Sequence, residues 1–179
     1  MATGATIHTF TGSLADVDRG VYEDLNLRVA RHPSETDAFM ITRLLAYCLE
    51  FDEGIAFTEG VAATDEPAVI ARDLTGAITR WVEVGVPDAA RLHTGSMQSP
   101  RVAVYTHRDP VKVAAAWAGK RIHRADGIGL YSFDRGFVDA AAALLERRNV
   151  FTLSVTERRL YLELNGTLLE SEVIQTPAA

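Results

Sequence analysis

Asp73 and Glu83 are the two side chains whose type and spacing offer chemistry most directly. Asp73 opens the turn Asp73-Leu74-Thr75-Gly76, and Glu83 follows inside the β-forming run Trp81-Val82-Glu83-Val84-Gly85. Side chains alternate along a strand, so Glu83 points away from Val82 and Val84 and shares a face with Trp81. A carboxylate on such a face is costly to bury unless an ion pair or a cation neutralises it. Two carboxylates converging from a turn and a neighbouring strand would make a hard, oxygen-rich site suited to Mg²⁺ or Mn²⁺. With a third acid from a helix, such a site could hold a metal against a phosphodiester and activate water. The competing reading is an edge-strand Glu83 paired with Arg43 or Arg80.

Other chemistries lack their residues. The chain carries no glycine-rich phosphate loop, no zinc-type Cys/His spacing and no nucleophile-elbow serine. His8, His32, His93, His107 and His123 stand singly and read as surface or hydrogen-bonded histidines. With 24 acidic against 18 basic side chains, the net charge is -6. That balance disfavours strong non-specific nucleic-acid binding, which draws its free energy from Lys and Arg releasing counterions. The short cluster Arg121, His123 and Arg124 reads as solvated surface.

The 179 residues are expected to form a single domain, 1–179, with a core large enough to need no staples. No apolar run approaches the ~18–20 residues of a membrane span. Met1 to Phe10 has neither the basic flank nor the apolar stretch of a secretory signal. The lone Cys48 reads as a buried thiol, and a cytoplasmic location is expected.

Elements must position the acids. Ala5 to Thr11 and Tyr22 to Arg31 read as strands around the turn Asp16–Gly20. A helix is expected over 34–51, with Ser34 as its N-cap and Glu35 and Asp37 in its first turn. Met40, Leu44, Tyr47, Cys48 and Phe51 gather on its core face, and Glu35, Thr42, Arg43, Ala46 and Glu50 on a second, polar face. Strands follow near 55–58, 68–72 and 78–84, then a helix near 88–97 and a strand over 101–106. Asp109-Pro110 starts another helix, Ile128 to Phe133 is strand-like, and Phe137 to Leu145 is helical. A meander closes the chain, with Asn165-Gly166 as a type I′ hairpin turn.

The runs Arg31-His32-Pro33-Ser34-Glu35-Thr36, Arg43-Leu44-Leu45-Ala46-Tyr47, Asp65-Glu66-Pro67, Asp73-Leu74-Thr75-Gly76 and Trp81-Val82-Glu83-Val84-Gly85-Val86-Pro87-Asp88 together resemble the YaeQ family. Their order and spacing match over essentially the whole chain. The resemblance implies an α/β (or α+β) fold of PD-(D/E)XK nuclease-like type: a mixed central sheet flanked by helices, with an added C-terminal meander. Carried over, the catalytic acids would be Glu35, Asp73 and Glu83, with Asp73 and Glu83 holding Mg²⁺ (Mn²⁺ as a substitute). Glu50 is a second candidate for the helix acid. Arg43, Glu50, Trp81, Arg91 and His93 complete the expected set as binding residues. The pattern departs at Gly85, where a working nuclease carries Lys; Arg91 or His93 would have to substitute. Two functions follow as expectations: a divalent-metal-dependent phosphodiester hydrolase acting on DNA or RNA, or an inactive nuclease-fold module that binds a protein or nucleic-acid partner in a regulatory role.

Overall fold

The computed structural model describes residues 4–59 and 65–178. In chain order the elements are β1 (Thr6–Asp16), β2 (Val21–Arg31), α1 (Asp37–Leu49), β3 (Ile55–Phe57), β4 (Val69–Arg72), β5 (Ile78–Val84), α2 (Ala89–Gln98) and β6 (Val102–Tyr105). They continue with α3 (Pro110–Trp117), β7 (Gly129–Phe133), α4 (Phe137–Ala142), β8 (Arg148–Thr156), β9 (Arg159–Leu164) and β10 (Thr167–Thr176). The fold is therefore mixed α+β, as expected. It divides into two compact units, one holding the chain up to Ile41 with Phe133–Ile174, the other Thr42–Ser132 with the C-terminal residues. Among the described residues, no helix is long and apolar enough to cross a membrane.

In the first unit the strands run in the order β2-β1-β8-β9-β10. β1 is antiparallel to β2 over its whole length, from Thr6↔Arg31 to Asp16↔Val21, and parallel to β8. The β8-β9-β10 meander is antiparallel throughout. Alternation decides which side is buried: Phe10 and Leu14, Leu25, Leu27 and Val29, Phe151, Leu153 and Val155, and Leu160, Leu162 and Leu164 all point inward. Asn165 and Gly166 take φ values of 49° and 90°, as a type I′ turn requires. β1 runs past the expected Thr11 to Asp16, because β2 and β8 pair with it on both sides that far.

One expectation for α1 is corrected. The helix starts at Asp37 rather than Ser34, because His32 to Glu35 close a turn of their own, with the Glu35 N–H donating to the His32 carbonyl at 2.9 Å. Thr36 is the cap: its Oγ1 accepts from the Phe39 N–H at 3.0 Å, while the Ser34 hydroxyl pairs with the His32 ring. The second, polar face is packed as closely as the first. Thr42, Arg43, Ala46 and Glu50 are as buried as Met40, Leu44 and Cys48.

In the second unit the order is β7-β6-β5-β4-β3. β3, β4 and β5 pair antiparallel; β5, β6 and β7 pair parallel, with α2 and α3 in the crossovers. β5 is thus an inner strand, not an edge. Trp81 packs with Leu92, Val102, Val104, Val113, Trp117, Ile128 and Leu130 in a core that draws on β5, β6, β7, α2 and α3. Gly95 of α2 lies directly on the Trp81 ring: a Cβ there would sit 2.6 Å from the indole, so α2 can come this close only with glycine at that position. Asp88 and Asp109 cap α2 and α3 by accepting from the Arg91 and Val111 N–H groups.

Candidate functional site

The alternation along β5 separates two charged centres within the second unit. Trp81 and Glu83 face α2; Arg80, Val82 and Val84 face the other way, toward the end of α1.

On the α2 side, Glu83 is 4% exposed. Its Oε1 accepts from the Trp81 indole N–H at 3.0 Å, so the shared strand face becomes a direct hydrogen bond. Arg91, one turn into α2, sets its Nε 3.2 Å from both carboxylate oxygens and its Nη2 3.1 Å from Oε1. The same Nη2 donates to the Glu66 carbonyl at 2.6 Å, which ties the Asp65-Glu66-Pro67 segment to Glu83. Burial pushes the Glu83 carboxyl up, and Arg91 and the indole only partly offset this. Gly85 follows with φ 90° while its N–H continues the pairing to the Tyr105 carbonyl. A lysine here would be held in the left-handed region, so the backbone itself explains the missing residue.

Asp73 does not join Glu83. It is exposed in the β4–β5 turn, where its Oδ1 accepts from the Thr75 N–H at 2.9 Å, the Thr75 hydroxyl at 2.5 Å and the Ala77 N–H at 3.1 Å. The Thr75 hydroxyl is the main cause that lowers its pKa, and the Asx turn accounts for the residue. Glu83 stands six residues beyond Ala77, about 20 Å along an extended strand, so the two carboxylates occupy opposite ends of β5. Glu35 lies in the first unit; its Oε1 accepts from the His32 N–H at 3.4 Å and its carbonyl from Arg31. Among the described residues, no three His, Cys, Asp or Glu side chains gather to hold a metal ion. His93 is on α2, its Nδ1 accepting from the His123 N–H at 3.0 Å. Arg43 sends its Nε to the Ala68 carbonyl and its Nη2 to the Thr58 carbonyl, and its guanidinium lies 5.4 Å over the Phe57 ring. It thus joins the residue after β3 to the residue before β4.

On the other face, Glu50 is 1% exposed at the end of α1. Arg101 grips it side-on, Nε to Oε2 at 2.8 Å and Nη2 to Oε1 at 2.6 Å, while Arg80 Nη1 reaches Oε2 at 2.6 Å. The buried Tyr105 hydroxyl donates to Oε1 at 3.0 Å. Arg80 and Arg101 are side by side because β5 and β6 are parallel, with Trp81↔Val102 the adjacent pair. Like charges there would repel, and Glu50 supplies the anion between them. Burial pushes the Glu50 carboxyl up, but Arg101 and Arg80 outweigh it and hold it below its usual value; burial, with Glu50 beside it, drives the Tyr105 phenol up.

Sequence reasoning placed Glu83 and Trp81 on one face correctly but missed the Glu66 backbone carbonyl that shares Arg91 with Glu83. Counting back through the hairpin from Asp73–Gly76 would have found it: Val69 pairs with Val82, so Glu83 lies opposite the end of the Asp65–Pro67 stretch. Arg80 and Arg101 were out of reach, since only the parallel register of β5 and β6 brings them together.

The chain is 40% identical over 117 residues to the uncharacterised YaeQ protein of Escherichia coli strain K12, an alignment spanning 65% of this chain and 64% of that one, and 38% identical over 117 residues to that of Salmonella typhi. The aligned region thus spans just under two thirds of these relatives. The crystal structure of YaeQ from Pseudomonas syringae matches with a TM-score of 0.84 at 28% identity, covering 96% of this chain and 95% of that one. The YaeQ structure from Xanthomonas axonopodis pv. citri gives 0.87 at 26% identity, covering 98% and 99%. The family model described as YaeQ protein matches residues 1–173, and the chain belongs to the YaeQ family.

Proposed function

We propose that this protein is a nuclease-like module that binds a protein partner in a regulatory role and does not hydrolyse phosphodiesters. The order α1-β3-β4-β5-α2-β6 supports a PD-(D/E)XK-type core, because it repeats the helix, three strands, helix, strand succession of that fold. The observation that carries the reading is Arg91 lying 3.2 Å from each oxygen of Glu83, where a metal would have to bind. A hard cation needs carboxylate oxygens turned toward it. Both oxygens of Glu83 accept from Arg91, and Oε1 also accepts from Trp81, so these residues as placed do not fit Mg²⁺ or Mn²⁺. The excess of acids, with a net charge of -6, favours a protein over DNA or RNA as partner. Cys48, a buried thiol in no disulfide, suits a cytoplasmic setting.

The second reading, a Mg²⁺- or Mn²⁺-dependent hydrolase of DNA or RNA, draws on Arg91 joining the Glu83 carboxylate to the Glu66 backbone carbonyl. An Arg91 swung away would leave the Glu83 oxygens and that carbonyl open to a cation. Incubation with single- and double-stranded DNA and with RNA, with and without Mg²⁺ or Mn²⁺, separates the readings. The wild type is expected to show no metal-dependent cleavage. Cleavage that a chelator stops and Glu83→Gln abolishes would establish the hydrolase instead.

A further inference from the structure

We propose that Arg80, Arg101 and Tyr131 form a phosphate-binding site on the face of β5 opposite Glu83. Both arginines share Oε2 of Glu50, so one buried carboxylate fixes two guanidinium groups next to each other. Each spends only part of its donor set. Arg101 uses Nε and Nη2 on Glu50 and Tyr131, leaving Nη1; Arg80 uses Nε on Asp52 and Nη1 on Glu50, leaving Nη2. These two amino groups have no partner among the described residues. The arginine side chains are 20% and 41% exposed, so solvent reaches them. The Tyr131 hydroxyl accepts from Arg101 Nη2 at 3.4 Å and keeps its own proton to donate; its ring is stacked on Tyr105 at 5.0 Å, which fixes its position.

A tetrahedral oxyanion matches this set better than a planar one. The free donors come from two separate guanidiniums and a phenol rather than from one flat fork, and arginine donors held in place bind phosphate without losing further side-chain entropy. One group opposes the ligand: Asp52, half exposed, takes Arg80 Nε at 3.3 Å and cancels the surplus positive charge. Its removal should therefore tighten binding, an effect that a purely structural ion-pair cluster would not show.

The test is calorimetric titration of the full chain with inorganic phosphate and, separately, with a 5′-mononucleotide, each variant first checked for an unchanged fold by circular dichroism. Saturable binding is expected, weakened at least about tenfold by Arg101→Lys and by Arg80→Lys, which lose the forked geometry but keep the charge with Glu50. Asp52→Asn should strengthen it, and Lys112→Ala on the exposed side of α3 should leave it unchanged. Saturation by the mononucleotide alone, with this same variant pattern, keeps the site and assigns it to a phosphate ester. No saturable heat from either probe, or binding equal across all variants, would overturn the proposal.

Discussion

Replacing Arg91 with Met lowers the stability of the fold by about 3 kcal/mol, the scale on which a buried carboxylate stripped of its partner is destabilising. Met keeps an apolar stem in place of arginine's, so the loss reports the charge and its hydrogen bonds rather than packing. The penalty depends on pH with a definite sign. Burial raises the Glu83 carboxyl above its unfolded value of 4.5, so the folded state holds the proton more tightly there. Stability is then regained as pH falls through that raised value and lost as it rises. Without Arg91 the carboxyl rises further, and the deficit of Arg91→Met narrows toward pH 5. Urea unfolding at pH 5 and pH 8 measures this, and adding Glu83→Gln recovers most of the loss at pH 8. A deficit of equal size at both pH values would show that packing, not the buried charge, is responsible.

Glu50→Gln is the second large effect, also about 3 kcal/mol, at the lower end for such a pair because Arg101 is partly solvated. The amide keeps the shape but leaves Arg80 and Arg101 neighbouring each other with no anion between them. Here the sign reverses. Glu50 titrates below 4.5 in the folded state, so its stabilisation is complete above that value and disappears as pH falls through the lowered one. Glu50→Gln should flatten the acid limb of the stability profile, whereas Arg91→Met steepens the decline toward alkaline pH. Thermal melts from pH 3 to pH 8 distinguish the two. An unaltered acid limb in Glu50→Gln would mean that Glu50 is not the carboxylate held down by the arginines.

What the amino-acid sequence made legible was local. The helix starts at Asp88 and Asp109, β5 from Ile78 to Val84, and the Asn165-Gly166 turn each follow from a few neighbouring residues whose chemistry permits little else. Ser34 was a plausible cap and Thr36 is the real one, because the turn His32 to Glu35 delays the helix by one further hydroxyl. The polar face of α1 was legible from the sequence, but not what covers Arg43 and Glu50. A helix packed on all sides shows polar residues that look solvated until their partners from other elements are known. The acid grouping was the least legible part. Trp81 and Glu83 share a face by alternation alone, but whether Asp73 meets them depends on hairpin register, and a turn at Asp73–Gly76 sends Asp73 to the far end. Arg91 was foreseen only as a stand-in for lysine. Its place one turn into α2, with Gly95 letting that helix rest on Trp81, makes it the counter-charge of Glu83.

The central claim is that an arginine, not a metal, neutralises Glu83. Titration of the wild-type protein with Mn²⁺ in a calorimeter tests it most directly. No saturable heat is expected, in the wild type as in Glu83→Gln; a one-site isotherm in the wild type that vanishes in Glu83→Gln would show a metal at Glu83 instead.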